Sequence, residues 1–453
     1  MCGGFAACLR HLLLFGIKKE VSKKKRLFAT NGKMNNVRDF GAVGDGNVND
    51  TAAIQRAIDA GGAVYFPSGT YRTGSIYLRS NGGLELAPDA ILVASTDPAD
   101  YNRKDFCPQD TNNNCCGKGG QHLIIALEQH DVFIRGGRID GNARNILRDH
   151  TIVHTFMGGP QWRCKEWHPA QLTFFCECRN VRICDVDIED TTGWACYLLG
   201  CTDAYIRGVN IRNSPYVSEN DGIDLDCCGR VVVSDCNISV GDDAFTLRGC
   251  SKRLKAPRPC EWVTVSNCLF RSHYAHAIRI GVGSGEIRNC RFDGISCYDS
   301  HMAIHINSKY SEKSEGVDIH DLVFRNFQVD VEQFAFLRLD YKFVRERPCG
   351  KSIRNIVFEN ATGHVRHPSM LRGNGVGEIS GIRFANIRLH VDGSLEIPEN
   401  TRKFCMIEGT DGAFELRQVR DVTFTGLVLE YEHPEVWKTD IAQTACTGVL
   451  RRD

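Results

Sequence analysis

The chain has 453 residues, with 55 Lys plus Arg against 55 Asp plus Glu, and its basic residues form no stripe with interleaved aromatics, which argues against a nucleic-acid partner. Its 22 cysteines include no Cys-x-x-Cys pair and no compact framework, so reduced core fillers are expected rather than disulfides or metal ligands. No apolar stretch is long enough to cross a bilayer as a helix, and no membrane partner is expected.

In chain order, residues 1–34 read as a basic tail, in which an apolar run from Leu12 to Ile17 precedes Lys18, Lys19 and a cluster from Lys23 to Arg26. A secretory signal carries its positive charge ahead of the apolar run, so this order does not fit one. With so many cysteines a cytoplasmic protein is predicted, the alternative being a secreted one whose start codon is misassigned. Residues 35–453 read as one domain, since a repeat architecture absorbs that length without splitting.

Val37–Gly46 (VRDFGAVGDG) leads into Asn49–Ala60, an amphipathic helix that Asp50 or Thr51 can cap, with Ile54 and Ile58 on one face and Gly61-Gly62 ending it. Ala63–Tyr71 (AVYFPSGTY) then alternates and turns like the first strands of a sheet. A helix followed by an unbroken succession of short strands suits a capped solenoid, whose first rung would otherwise offer unpaired edges. Farther on, Cys107–Cys116 (CPQDTNNNCC) is irregular, with a metal or redox pair as the alternative to packing.

From about residue 132 a phrase recurs, Val181-x-Ile183-x-x-Val186-x-Ile188, with copies at Ala204–Ile211, Val231–Ile238 and Val263–Phe270 and weaker ones at Ile287, Leu322, Ile356, Ile382 and Val422. Final apolar positions 188, 211, 238 and 270 lie roughly 23, 27 and 32 residues apart, in the range of solenoid repeats. Each copy holds two period-two strands joined by a corner of Asn, Asp or Gly, too short for a crossover helix. A leucine consensus and a four-stranded blade unit are both missing. The fold class expected is all-β, a single-stranded right-handed parallel β-helix with a short N-terminal capping helix. Cys236, Cys268 and Cys290, in similar settings, are expected to stack as one inward column.

A second phrase recurs as Ala195-Cys-Tyr-Leu, Gly222-Ile-Asp-Leu, Ala244-Phe-Thr-Leu, Ala277-Ile-Arg-Ile and Ala303-Ile-His-Ile. Stacking without gaps puts Ile223, Phe245, Ile278 and Ile304 inside. Trp194, Asp221, Asp243, His276 and Met302 then share one outward lane, and Tyr197, Asp224, Thr246, Arg279 and His305 another. Adjacent strands lie ~4.8 Å apart, so Asp221, Asp242 and Asp243 converge, with His276 one rung on. Like charges at that range resist ionising together, so one carboxyl keeps its proton while another stays charged. Acid/base cleavage of a glycosidic bond uses that arrangement. The competing reading makes Asp221, Asp224 and Asp226 turn or ladder residues, or ligands of a structural cation, but a stability-driven sequence would not stack carboxylates.

Ser218–Asp226 (SENDGIDLD), Val240–Arg248 (VGDDAFTLR) and Ala275–Gly281 (AHAIRIG) resemble the three successive active-site motifs of glycoside hydrolase family 28, the polygalacturonase-like enzymes. The resemblance runs from the Gly-Asp-Gly start through Asp140-Gly141 to about residue 330. It implies an inverting hydrolase of pectin-related, uronic-acid-containing chains that needs no cofactor and no metal. It further implies Asp242 as general acid, Asp221 and Asp243 as the pair that holds and activates water, and His276 in support. Glu219-Asn220-Asp221 stands where the family has Asn-Thr-Asp, and Ala275-His276-Ala277 where many members have Gly-His-Gly. His305-Ile306-Asn307 replaces the Arg-Ile-Lys that engages galacturonate, which puts ordinary polygalacturonan in question. Arg279 and Arg248 either supply a replacement cationic fork or neutralise the aspartates. Trp167 and His168 lie in a Trp-His-Pro entry similar to the family's, where a tryptophan either stacks a sugar or packs the loop.

Two other classes compete: a polysaccharide lyase with calcium on the aspartates, and a noncatalytic carbohydrate-binding β-helix. Loops at 107–120, 149–168 and 249–260 are long enough to wall one end of a groove, which points to exo action. The sequence gives no signal on oligomeric state.

Overall fold

The computed structural model describes residues 34–103, 106–110, 120–147, 151–154, 160–162, 167–217, 219–310, 314–339, 350–393 and 412–453. The basic tail up to residue 33 and most of the Cys107–Cys116 segment lie outside the described residues. Among the described residues no helix is long and apolar enough to cross a membrane.

Strands coil directly on one another. The turn Gln171–Cys176, Arg179–Cys184, Asp187–Glu189 is followed by Trp194–Leu199, Thr202–Arg207, Asn210–Arg212, each strand parallel to its predecessor. Phe174 stacks on Tyr197, Ile183 on Ile206 and Ile188 on Ile211, and the pattern continues to the last described turn. This is the right-handed parallel β-helix expected from the repeat.

Corners explain the recurring Asn, Asp and Gly. Asp185, Asp235 and Asn267 hold φ of 52°, 57° and 52°, and Gly208 and Gly294 take the equivalent left-handed position. A side-chain amide or carboxylate tolerates that conformation and bonds locally, while glycine has no Cβ to clash. Asn267 Nδ2 donates to Asp235 Oδ1 at 2.6 Å and Asn326 Nδ2 to Asp293 Oδ1 at 2.8 Å, so the corners also tie successive turns together.

The interior is a set of columns. Phe292, Phe324, Phe358, Phe384 and Phe424 stack with ring centroids 4.9, 5.1, 4.8 and 4.9 Å apart, the rung spacing itself. One expected column is corrected. Cys268 stacks on Ile295, while Cys290 stacks below Leu322, so Cys290 belongs with Val263 and the copy placed at Ile287 begins three residues later. A longer thiol column runs through Cys178, Cys201, Cys228 and Cys260, each Sγ reaching a backbone carbonyl of the preceding turn. These cysteines are free thiols, and those of the column are buried.

The helix spans Thr51–Asp59 and seals the first turn with Ile54 and Ile58. Asp50 sits at its N-terminus, yet its carboxylate accepts from Val43 N (2.7 Å) and Gly44 N (3.0 Å), fastening the Gly-Asp-Gly turn instead of capping the helix.

Candidate active site

On one sheet of the coil the outward lane reads Tyr197, Asp224, Thr246, Arg279, His305, Phe336, and the inward one Cys196, Ile223, Phe245, Ile278, Ile304. Strand alternation therefore delivers a polar file that the core does not need. Asp221, Asp242 and Asp243 arrive at the start of this sheet on two consecutive turns. Asn220, fully buried, joins those turns: its Oδ1 accepts from Gly241 N (2.7 Å) and Asp242 N (3.2 Å), and its Nδ2 donates to Ser214 O (2.8 Å). Gly241 permits the approach, since a Cβ there would lie 2.6 Å from Val217 O. From sequence Asn220 carried no role of its own beyond its place in Glu219-Asn220-Asp221, directly before Asp221 in the first acidic motif.

Two buried arginines divide the acids. Arg248 Nε bonds Asp224 Oδ1 at 2.7 Å and its Nη2 lies 3.2 Å from Asp221 Oδ2, with the guanidinium 4.0 Å over the Trp194 ring. Arg279 Nη1 bonds Asp243 Oδ2 at 3.0 Å and lies 4.2 Å over Tyr310. Both arginines thus neutralise aspartates, and each is clamped against an aromatic face. His276 Nδ1 lies 2.5 Å from Asp243 Oδ1. Asp242 Oδ1 accepts from Asp243 N (2.9 Å) and its Oδ2 from Glu219 N (3.3 Å).

Exposure follows the same division. Asp221 and Asp243 are 3% and 1% exposed, enclosed by their partners, whereas Asp242 is partly open. Burial, then the neighbouring Asp243 charge, pushes the Asp242 carboxyl up to about 7. Burial acts on Asp243 too, but Arg279 and then His276 outweigh it and hold that carboxyl well below the usual range. Burial followed by Asp224 raises Asp221 well above its ordinary value, and Asp224 itself rises to about 6 through burial that Arg248 only partly offsets. Burial also lowers His276 and His305.

His305 lies tilted against His276, ring centroids 4.3 Å apart, and stacks on Phe336 at 5.5 Å. Neither of its ring nitrogens has a partner among the described residues, nor have Arg279 Nε and Nη2 or Asn307 Nδ2. Arg279, His305 and Asn307 therefore form one buried group of donors beside the acids. Trp167 and His168 stand in the loop wall: Trp167 donates to Gln121 and meets Tyr101 edge-on at 5.0 Å, and His168 Nδ1 lies 2.9 Å from Pro169 O. Tyr310 and Arg338, absent from the sequence reading, belong to the site. Arg338 follows Asn307 in register and bears electrostatically on both His276 and His305.

A family model described as glycosyl hydrolases family 28 matches residues 111–396. The chain belongs to that family. It is a glycosidase acting on carbohydrate, as the motifs led one to expect. Residues 34–84 match a second model, rhamnogalacturonase A/epimerase, pectate lyase-like. A probable polygalacturonase of Vitis vinifera is 24% identical over 384 residues, 78% of this chain and 73% of that one. Among solved structures, a family 28 exopolygalacturonase of Yersinia enterocolitica superposes with TM-score 0.70 at 19% identity, covering 92% of this chain and 78% of its own. An exopolygalacturonase of Thermotoga maritima does so with TM-score 0.65 at 19% identity, covering 88% and 92%.

Proposed function

We propose that this family 28 glycosidase is an inverting, end-acting hydrolase of pectin-related uronic-acid chains. The observation that carries the reading is the opposite bias of two adjacent carboxyls: Asp242, partly open and pushed up to about 7, and Asp243, held ionised by Arg279 and His276. Asp242 donates its proton to the leaving oxygen and Asp243 draws a proton from the attacking water, the division of roles that inversion uses. Asp221 lends a hydrogen bond to that water, and His276 fixes Asp243.

Arg279, His305 and Asn307 supply buried donors for a uronate carboxylate, which a neutral sugar would leave unmatched. Arg248 already spans Asp221 and Asp224, the oxygens a lyase would give to calcium, which favours hydrolysis over elimination. End action is supported by the N-terminal side of the lane, where Ile125, Phe174 and Tyr197 are buried together with Cys107 and Leu254. Arg253 of the 249–260 loop reaches Tyr197 Oη at 3.4 Å and Asp226 at 3.9 Å, holding that wall down. A cytoplasmic location agrees with oligosaccharides as substrate.

The test is a panel of uronic-acid oligosaccharides, with product anomers followed by NMR in the presence of a chelator. Saturated single sugars released with inverted configuration are expected. Unsaturated products absorbing in the ultraviolet, retention, or cleavage of neutral glycans alone would overturn the proposal.

A further inference from the structure

Asp242 and Asp243 stand where the coil interrupts its own ladder, between the strands Asn237–Val240 and Phe245–Gly249. Arg212 and Ser239 are in register before the gap, and Ile223 and Phe245 after it. Between those points the preceding turn leaves its strand at Arg212 and enters the next at Ile223. Backbone N–H groups that lose a ladder partner need another acceptor. One side chain serves two of them here: Asn220 Oδ1 takes the N–H of Gly241 at 2.7 Å and that of Asp242 at 3.2 Å. The carbonyl of Gly241 goes the other way, to Tyr274 N at 2.9 Å on the following turn.

Asn220 is itself held in place. Its Nδ2 donates to Ser214 O at 2.8 Å, its carbonyl accepts from Asn213 Nδ2 at 3.2 Å, and Asn213 Oδ1 accepts from Thr191 N at 3.0 Å. A chain of amides thus runs over three successive corners of the coil and ends on Asp242. Glu219, at φ of 58°, adds its N–H to Asp242 Oδ2 at 3.3 Å, while Asp243 N reaches Oδ1 at 2.9 Å. Neighbouring residues therefore grip both the backbone and the carboxyl of Asp242. A threonine, the residue of the family pattern at this place, carries one hydroxyl nearer the backbone and no amide with separate donor and acceptor. The double grip belongs to Asn220.

We propose that Asn220 is a positioning residue for the reaction: its amide fixes the Gly241–Asp242 backbone so that the Asp242 carboxyl keeps the partly open side while Asp243 turns to Arg279. This deepens the functional reading above and rests on its assignment of Asp242 as the acid. Without the amide, water enters between the two turns to reach the freed N–H groups. Burial is the largest cause of the high proton affinity of Asp242, so wetting the turn lowers it. The charged groups around Asp242 are Asp243, Asp221, Glu219 and Arg279, and all of them remain in the variants below.

The test pairs kinetics on α-1,4-trigalacturonate with a titration that needs no substrate: 13C NMR of aspartate-labelled enzyme, with the Asp242 signal assigned by its loss in Asp242→Asn. In Asn220→Ala, kcat is expected to fall about 10²-fold with KM within about twofold, and the Asp242 titration and the basic limb of the rate profile to move down by about one pH unit. Asn220→Asp keeps the shape, and while protonated its carboxyl offers a hydroxyl to Ser214 O and an oxygen to both N–H groups. It is expected to recover kcat to within about threefold at about pH 5 and to lose it as the introduced carboxyl ionises. Asn326→Ala, which removes a corner amide far from the acids, lowers stability and leaves the limb where it was. An Asn220→Ala enzyme that loses stability alone, with titration and limb unmoved, overturns the proposal. If that variant does not fold, an Asn220→Asp enzyme that is slow at every pH, or shows only the unaltered basic limb, overturns it equally. A titration that moves while turnover does not leaves the hold of Asn220 on Asp242 standing and removes Asp242 as the acid.

Discussion

Replacing Asp242 with Asn tests the division of labour among the acids through two independent readouts. The amide cannot donate a proton to a leaving oxygen, and a positioned general acid contributes typically 10²–10⁴-fold, so kcat should fall by about that factor. The second readout is stability. The carboxyl moves from an ordinary 3.8 to about 7 in the folded chain, with burial as the larger cause and Asp243 as the next. Between those values the folded state holds a proton that the unfolded state has released, so stability falls as pH rises, by about 4 kcal/mol at most over the window. The Asn variant has no such fall. Its Oδ1 still accepts from Asp243 N, but the amide that replaces Oδ2 faces Glu219 N, a loss of about 1 kcal/mol. Urea melts should therefore show the variant slightly less stable near pH 4 and about 3 kcal/mol more stable near pH 8. A variant that keeps more than a tenth of wild-type kcat, or whose stability difference stays flat with pH, would refute the assignment of Asp242 as the protonated acid.

Arg279→Gln removes the main counter-charge of Asp243, so the acidic limb of the kcat/KM profile should move up by at least one pH unit, with a stability loss of about 3–5 kcal/mol for the broken buried pair. Arg248→Met leaves Asp221 and Asp224 buried without their cation and should cost a similar amount, read by denaturant melts. Asp221→Asn should retain at least tenfold more kcat than Asp243→Asn, because Asp221 is the carboxyl that favours its proton while Asp243 is held ionised. Phe324→Ala opens the middle of the phenylalanine column and should lower stability by about 3–5 kcal/mol with KM unchanged, as thermal melts and steady-state kinetics would show.

Much of this site was legible because a coil without crossover helices leaves little freedom: once the repeat was in register, Asp224, Thr246, Arg279 and His305 had to share a lane. The same logic failed locally at Cys290, where similar flanking residues suggested a column that the strand spacing does not form. What the sequence could not convey is how side chains fold over the lane. Arg248 and Arg279 were ambiguous between fork and counter-ion because that choice depends on Trp194 and Tyr310 pressing them onto the carboxylates. For Trp167 the sequence favoured packing over a sugar contact, and its contacts with Gln121 and Tyr101 show what it touches. Arg338 escaped notice because it lies outside every recognised motif, a full turn beyond Asn307.

The charge balance of the buried group ties these observations together. Four carboxyls, Asp221, Asp224, Asp242 and Asp243, share two guanidinium groups, Arg248 and Arg279. An interior of low polarity tolerates little net charge, so two protons must stay on the carboxyls while two charges are matched by the arginines. The contacts decide which: Asp243 takes Arg279 together with His276, and Asp224 takes the shorter bond to Arg248, leaving the protons to Asp221 and Asp242. Of those two, Asp221 is enclosed and Asp242 is partly open. On the proposed mechanism, the proton that Asp242 donates is therefore kept there not because that residue differs chemically from its neighbours, but because the arginines are stacked where they serve the others.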